Sequence, residues 1–268
     1  MFLRRWRRWM SGGSRQAIPS PRVVVQFVIG GAQKSGTTAL EVHLRTHPEI
    51  GMASCKEVHF FDHDQYFTGG TPDYEHYHSF FESGEARRVV GEATPAYMYW
   101  QDAPRRIWEY NPSMKWITIL RNPIERAYSG WNMERNRQRE ELPFWDALQR
   151  ERERCRAALP SQHKTFSYVD RGFYTEQLRR IWRYFPEQQV LVLRHEQFRS
   201  DPAETLARVC DFLGVNRLEQ VERRSDNTAS YESAMGGRER DYLRRVFEGE
   251  IRSLEQMLGW DCSDWLAD

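Results

Sequence analysis

The sequence predicts an α/β protein in three layers, a central parallel sheet flanked by helices, and three observations lead there. Short apolar runs of strand length (VVVQFVI, RVVGE, KWITIL and VLVL) alternate with segments of helical periodicity, the pattern of a sheet covered on both faces. The first run passes through a glycine-rich turn, GGAQKSG, directly into a helical pattern. The chain has 268 residues and is 40% apolar, which is enough for one large domain with a substantial core.

Taken in order, Val23 to Ile29 reads as a buried strand, and glycines at 30, 31 and 36 loosen the backbone after it. Thr37 to His47 reads as a helix stopped by Pro48, with Leu40 and Leu44 at i, i+4 spacing. Gly51 to Asp62, which carries CKEVHFFD, reads as extended and close to the first turn. Loops with a short helix are expected from Asp64 to Gly84. Arg88 to Glu92 is a short strand ended by Thr94-Pro95, and Pro104 to Tyr110 is a helix with proline near its start. Lys115 to Leu120 is a strand, followed by helices over Ile124–Arg139 and Pro143–Leu159. A helix closes over Arg179–Phe185, and Val190 to Leu193 is the next strand. Pro202 to Leu213 is an amphipathic helix stopped by Gly214. A polar loop, Arg223 to Arg238, leads to a last helix from Glu239 to Leu258. The aromatic segments Tyr66–Phe81 and Tyr97–Trp100 divide between core packing and the lining of an acceptor cleft.

Composition narrows the function classes. A net charge of +1 argues against general nucleic-acid binding, since no basic excess is present to neutralise a phosphate backbone. Four cysteines, at 55, 155, 210 and 262, show no metal-ligand spacing and fit a reducing cytoplasm, so no metal is expected. No apolar run reaches the roughly 18 residues needed to span a bilayer. Residues 1–22 read as a flexible basic leader ahead of a domain over 23–268. The tryptophans and arginines of MFLRRWRRWM also suit an anionic membrane surface, a second and less favoured reading.

A strand, a glycine-rich turn and a helix N-terminus together gather backbone N–H groups around an anion. Gly31 and Gly36 have the spacing of a Walker A loop, yet Thr37 follows Gly36 and the lysine stands earlier, at Lys34. The fold is therefore P-loop-like with its lysine displaced, placed to meet one phosphate and its bridging oxygen. The strand 115–120 ends in Arg121, not in the Asp that would hold Mg²⁺, and Ser129 follows eight residues later. Arg121 and Ser129 suggest a second phosphate site, although Arg121 also has Glu125 within reach as an ion-pair partner. Glu92 and Glu196 likewise follow strands.

These residues resemble a known family. FVIGGAQKSGTTAL, then HPEI and KEVHFFD, is similar to the sulfotransferases that use 3′-phosphoadenosine 5′-phosphosulfate (PAPS), in a bacterial-type version of the heparan-sulfate N- and 3-O-sulfotransferase branch. RNPIERAYS resembles the family's 3′-phosphate motif, and RGFYTEQLRRIWRYFPEQQVLVLRHEQF with FLGV resembles its downstream helix–strand–helix. The resemblance implies that Lys34, Ser35, Gly36, Thr37 and Thr38 form the 5′-phosphosulfate loop. It implies that Arg121 and Ser129 hold the 3′-phosphate, and that Glu57 is the catalytic base. His59, two residues on, would share a face with Glu57 in an extended segment and orient the acceptor, or serve as a hydrogen-bonded structural histidine. An ion pair with Lys56 is the plainer reading of Glu57.

Two departures stand out. Where the 3-O-sulfotransferases carry a lysine before Thr-Pro, this chain has Ala93, and their disulfide-bearing loop with Lys-Gly-Arg is here AMGGRER, leaving Arg238 to cover the cofactor. The resemblance thus implies sulfuryl transfer to a hydroxyl, or secondarily an amine, of a carbohydrate or small-metabolite acceptor. The rival readings are a P-loop small-molecule kinase and a non-catalytic PAPS-binding or PAP-binding protein.

Overall fold

A computed structural model of the protein describes residues 24–82, 87–221, 231 and 233–267. The basic leader and much of the loop expected over 223–238 lie outside the described residues. The strands are β1 Phe27–Gly31, β2 Ile50–Met52, β3 Val89–Ala93, β4 Lys115–Leu120 and β5 Val190–Arg194. All described pairings are parallel, in the order β2-β3-β1-β4-β5. Val28 of β1 sits between Glu92 of β3 and Trp116 of β4, so the carboxyl ends of these three strands emerge together.

The helices are α1 Thr37–Arg45, α2 Tyr74–His78, α3 Ala103–Tyr110, α4 Pro123–Asn136, α5 Phe144–Ala157, α6 Tyr174–Trp182, α7 His195–Ser200, α8 Pro202–Leu213, α9 Gly237–Leu258 and α10 Ser263–Leu266. Their boundaries follow local chemistry. Asn122 accepts the Ile124 amide through its side chain and Pro123 opens α4, while Gly214 at φ 78° closes α8.

The strands alternate their side chains between two cores. Phe27, Ile29, Ile117 and Ile119 pack with Leu40 and Leu44 of α1 and with Leu206 and Val209 of α8. Val28, Trp116 and Leu120 pack on the other face with Ile107, Ile124, Leu178, Leu243 and Phe247. This is the expected three-layer arrangement. Two of the expected glycine roles change. Gly30 and Gly31 belong to β1, and a side chain there would enter the Trp116 ring or come within 2.6 Å of the Met98 Cβ, so they serve sheet packing. The aromatic segments also resolve: Tyr77 and Tyr97 are core, whereas Tyr66 stays 40% exposed.

Candidate active site

A cleft of about 490 Å³ opens where β1, β3, β4 and β5 end, and its wall includes Lys34, Thr37, Thr38, Glu57, Arg121 and Ser129. After β1 the chain turns through Lys34 at φ 70° and Gly36 at φ 95°, both left-handed. Gly36 is the N-terminal flanking residue of α1 and no side chain caps that end. The amides at the start of α1 are thus left to meet an anion. His195, the first residue of α7, faces this turn. Its Nδ1 is 3.0 Å from the Ser35 carbonyl, so Nδ1 carries the proton and donates it there. Burial and the nearby Arg121 charge push the His195 pKa down, keeping the ring neutral.

Positive charge gathers around the turn. Lys34, Lys56, Arg121 and Arg137 all line the cleft, against the single carboxylate of Glu57 among its described lining residues. Burial, followed by the charges of Arg121, Arg137 and Lys56, lowers the Lys34 pKa. Cations held this closely favour an anionic occupant, which would relieve their mutual repulsion. Arg121 does not pair with Glu125, which binds Arg240 at 2.8 Å; its guanidinium instead donates to the Lys34 carbonyl at 3.2 Å. Ser129 and Met133 of α4 and Arg137 at its C-terminal cap recur every four residues, giving the cleft one helical wall.

Of the stretch Gly51–Asp62 expected to be extended, the first two residues lie in β2, and the segment from Cys55 to Asp62 turns instead. Glu57 and His59 adopt left-handed φ values of 62° and 55°, and this turn, not an alternating strand, brings their side chains together. His59 Nε2 lies 3.2 Å from Glu57 Oε2, and His59 Nδ1 lies 2.8 Å from the buried Asp62 carboxylate. Two carboxylates on one imidazole outweigh its burial: the hydrogen bond to Asp62, then that to Glu57, raise His59 to about 9. Burial alone would raise Glu57, but the hydrogen bond from His59 and the charge and hydrogen bond of Lys56 lower it to about 2. The ion pair with Lys56 is present at 2.7 Å, so Glu57 has that partner and lines the cleft as well.

Three predicted residues, His59, Ser35 and Arg238, do not line the cleft; His59 reaches it only through its contact with Glu57. Ser35 is fully buried and contributes its carbonyl, not its hydroxyl, to the site. Arg238 lies in the first turn of α9 with its guanidinium 3.5 Å over the Trp145 ring, and it does not line the cleft. The reason is that α9 begins two residues earlier than expected, at Gly237, which commits Arg238 to helix packing. Sequence reasoning missed His195 and Arg137. The residue straight after β5 marks His195, and the four-residue step from Ser129 marks Arg137.

The other strand-end glutamates both have protein partners, including Arg194 at 3.4 Å for Glu196. Glu92 takes hydrogen bonds from Tyr77, Thr94 and Tyr97, and Glu196 accepts the Asn122 amide. No group of three or more His, Cys, Asp or Glu placed to hold a metal occurs among the described residues. A separate cavity of about 410 Å³ is lined by apolar residues such as Leu148, Val169 and Phe173 together with Glu151, Arg152, Arg156, His163 and Asp170, and it holds none of the cationic strand-end residues. The cationic cleft is therefore the site with chemistry.

Comparison with known proteins agrees with this geometry. Residues 25–241 match the model described as "Sulfotransferase domain", an interval that contains every residue named in the cleft. Human heparan sulfate glucosamine 3-O-sulfotransferase 6 is 35% identical over 204 residues, which are 75% of this chain and 55% of that protein. Human heparan sulfate glucosamine 3-O-sulfotransferase 3B1 is 30% identical over 210 residues, 78% of this chain and 50% of that one. The chain spans about half the length of these relatives. A crystal structure of a sulfotransferase from Alicyclobacillus acidocaldarius superposes with a TM-score of 0.78 at 29% identity, over 91% of this chain and 99% of the other. With the family match running from β1 into α9, across the turn that carries Lys34, the chain belongs to the sulfotransferase domain family.

Proposed function

We propose that the protein transfers the sulfuryl group of PAPS to a hydroxyl of a carbohydrate acceptor, with an amine as the second acceptor type. The observation that carries this reading is that Lys34, Glu57, Arg121 and Ser129 share one cleft. A cluster of cations with uncapped helix amides fits a ligand bearing phosphates in two places. Lys34 and the amides of Gly36, Thr37 and Thr38 would hold the 5′-phosphosulfate, and Arg121 with Ser129 the 3′-phosphate. Bound there, PAPS supplies the sulfuryl group and a phosphate leaving group. The two heparan sulfate relatives support a carbohydrate acceptor.

In that reaction the acceptor oxygen bonds to sulfur, the bond from sulfur to the bridging oxygen breaks, and its electron pair stays on the departing phosphate. Lys34 neutralises the charge growing on that bridging oxygen without Mg²⁺. Glu57 takes the acceptor proton. A carboxylate held at about 2 is a weak base, but the acceptor proton becomes strongly acidic as the new bond forms, so a late transfer suffices.

The test is Glu57→Gln, assayed with labelled PAPS against oligosaccharide acceptors. Turnover should fall about 10²–10⁴-fold, while PAP affinity by calorimetry stays at the wild-type value. Wild-type turnover by Glu57→Gln at saturating acceptor would overturn the assignment of the base. Activity with ATP and Mg²⁺ in place of PAPS would favour a kinase, and binding of PAPS without turnover against every acceptor class would favour a non-catalytic binder.

A further inference from the structure

We propose that Glu92 is a positioning residue for the base-bearing turn, acting through the hydroxyls of Thr94 and Tyr97; the inference rests on Glu57 being the base. Glu92, the residue before the last of β3, has no solvent exposure. Its Oε1 accepts from Tyr77 at 2.9 Å and Tyr97 at 2.8 Å, and its Oε2 accepts from Thr94 at 2.6 Å. A carboxylate has no proton to give, so each hydroxyl must direct its single proton at Glu92. The lone pairs of Thr94 and Tyr97 are then left to accept.

What they accept are main-chain amides of the turn that carries the base. The His59 amide reaches Thr94 Oγ1 at 3.4 Å and the Phe60 amide reaches the Tyr97 hydroxyl at 3.2 Å. With the Glu57 amide on the Ala93 carbonyl at 3.0 Å, three amides between positions 57 and 60 are fastened to the chain leaving β3. Those fastenings matter because Glu57 and His59 hold left-handed φ values that non-glycine residues avoid. If either hydroxyl turned its proton toward the amide, the bond would be lost to two facing donors. The buried carboxylate thus sets the direction of a relay running from Glu92 through a hydroxyl to the amide beside the catalytic groups.

The experiment compares wild type with Glu92→Gln, Thr94→Val and Thr94→Ser, assayed above the pKa of about 7 to which burial pushes Glu92 against its three hydroxyl donors. Three readouts are taken: kcat with PAPS and acceptor saturating, PAP affinity by calorimetry, and the His59 ring titration by NMR. Glu92→Gln and Thr94→Val should lower kcat about 10–100-fold by misplacing the base, with PAP affinity within about twofold of wild type. In both, His59 should titrate at lower pH than in wild type, because the turn no longer holds it between Asp62 and Glu57. Thr94→Ser, which keeps the hydroxyl, should restore both kcat and the His59 titration. Where Glu92→Gln does not fold, the two Thr94 variants decide the matter alone. Wild-type kcat in Thr94→Val, no rescue by serine, or parallel loss of kcat and PAP affinity would overturn the proposal. If the wild type itself turns over no acceptor, the functional reading has failed; the His59 titration then supports the relay by shifting in Thr94→Val, or overturns it by staying put.

Discussion

Glu57, His59 and Asp62 divide two negative charges around one imidazolium, and the energetic consequences have opposite signs at the two ends of the pH scale. Glu57 has its pKa lowered from an ordinary 4.5 to about 2, so its share of the stability is present above 4.5 and is lost as pH falls through about 2. His59 is raised from 6.5 to about 9, so its share is complete below 6.5 and is lost as pH rises through about 9. The turn is therefore held most firmly between those limits, and the Glu57 carboxylate stays ionised far into acid. His59→Ala removes the hydrogen bond that chiefly lowers the Glu57 pKa. The acid limb of kcat should then move up toward 4.5, read from a pH–rate profile extended to the lowest pH at which the protein stays folded. An acid limb in the same place would mean that His59 does not set the strength of the base. At the neighbouring cation, Lys34→Ala should cost about 10²–10³ in kcat, the scale of one lost donor to a developing oxyanion.

The glycine-rich turn after β1 and helix α1 show which features of an element are legible in sequence. The strand–glycine–helix order announces the turn, and Lys115–Leu120 has the very bounds expected of it, because an uninterrupted apolar run between Lys115 and Arg121 admits little else. Three-residue β2 overlaps the start of the stretch expected to be extended over Gly51–Asp62, but Ile50–Met52 is too short to show alternation, and its pairing with Val89–Gly91 is a tertiary fact. For the same reason α7 was invisible, since its six residues follow β5 without a loop. The turn at Glu57 and His59 was misread as extended because nothing local in KEVHFFD demands positive φ; bonds from the distant chain after β3 impose it. Gly36, by contrast, is required locally. Its φ of 95° disfavours a side chain, and a Cβ there would come 3.1 Å from His195 Nδ1. Gly36→Ala should destabilise the protein by about 1–3 kcal/mol in denaturant titration and displace His195 from the Ser35 carbonyl, weakening PAP binding in calorimetry. Wild-type PAP affinity in Gly36→Ala would show that this turn does not cradle the phosphate.

Across the whole molecule, four parallel strands deliver residues to one edge of the sheet, and two separate cores hold those strands in register. Ligand binding at that edge ties together the turn after β1, the arginine after β4 and the face of α4, so it should be felt by the fold as a unit. A ligand at 100 times its Kd adds about 2.7 kcal/mol to stability. For a chain of this size, with about 2–4 °C per kcal/mol, that corresponds to a rise in Tm of roughly 5–10 °C. PAP should produce this rise, whereas adenosine 5′-monophosphate, which cannot engage Arg121 and Ser129 through a 3′-phosphate, should produce much less at the same concentration. Arg121→Ala should abolish the difference between the two nucleotides while leaving the unliganded Tm close to wild type, since the guanidinium makes one described hydrogen bond, to the Lys34 carbonyl. A chelator should leave every shift unchanged, because the charge in the cleft is balanced by side-chain cations. Equal shifts from the two nucleotides would remove the second phosphate site. With it would go the argument that the arginine ending β4 and the lysine after β1 serve one ligand.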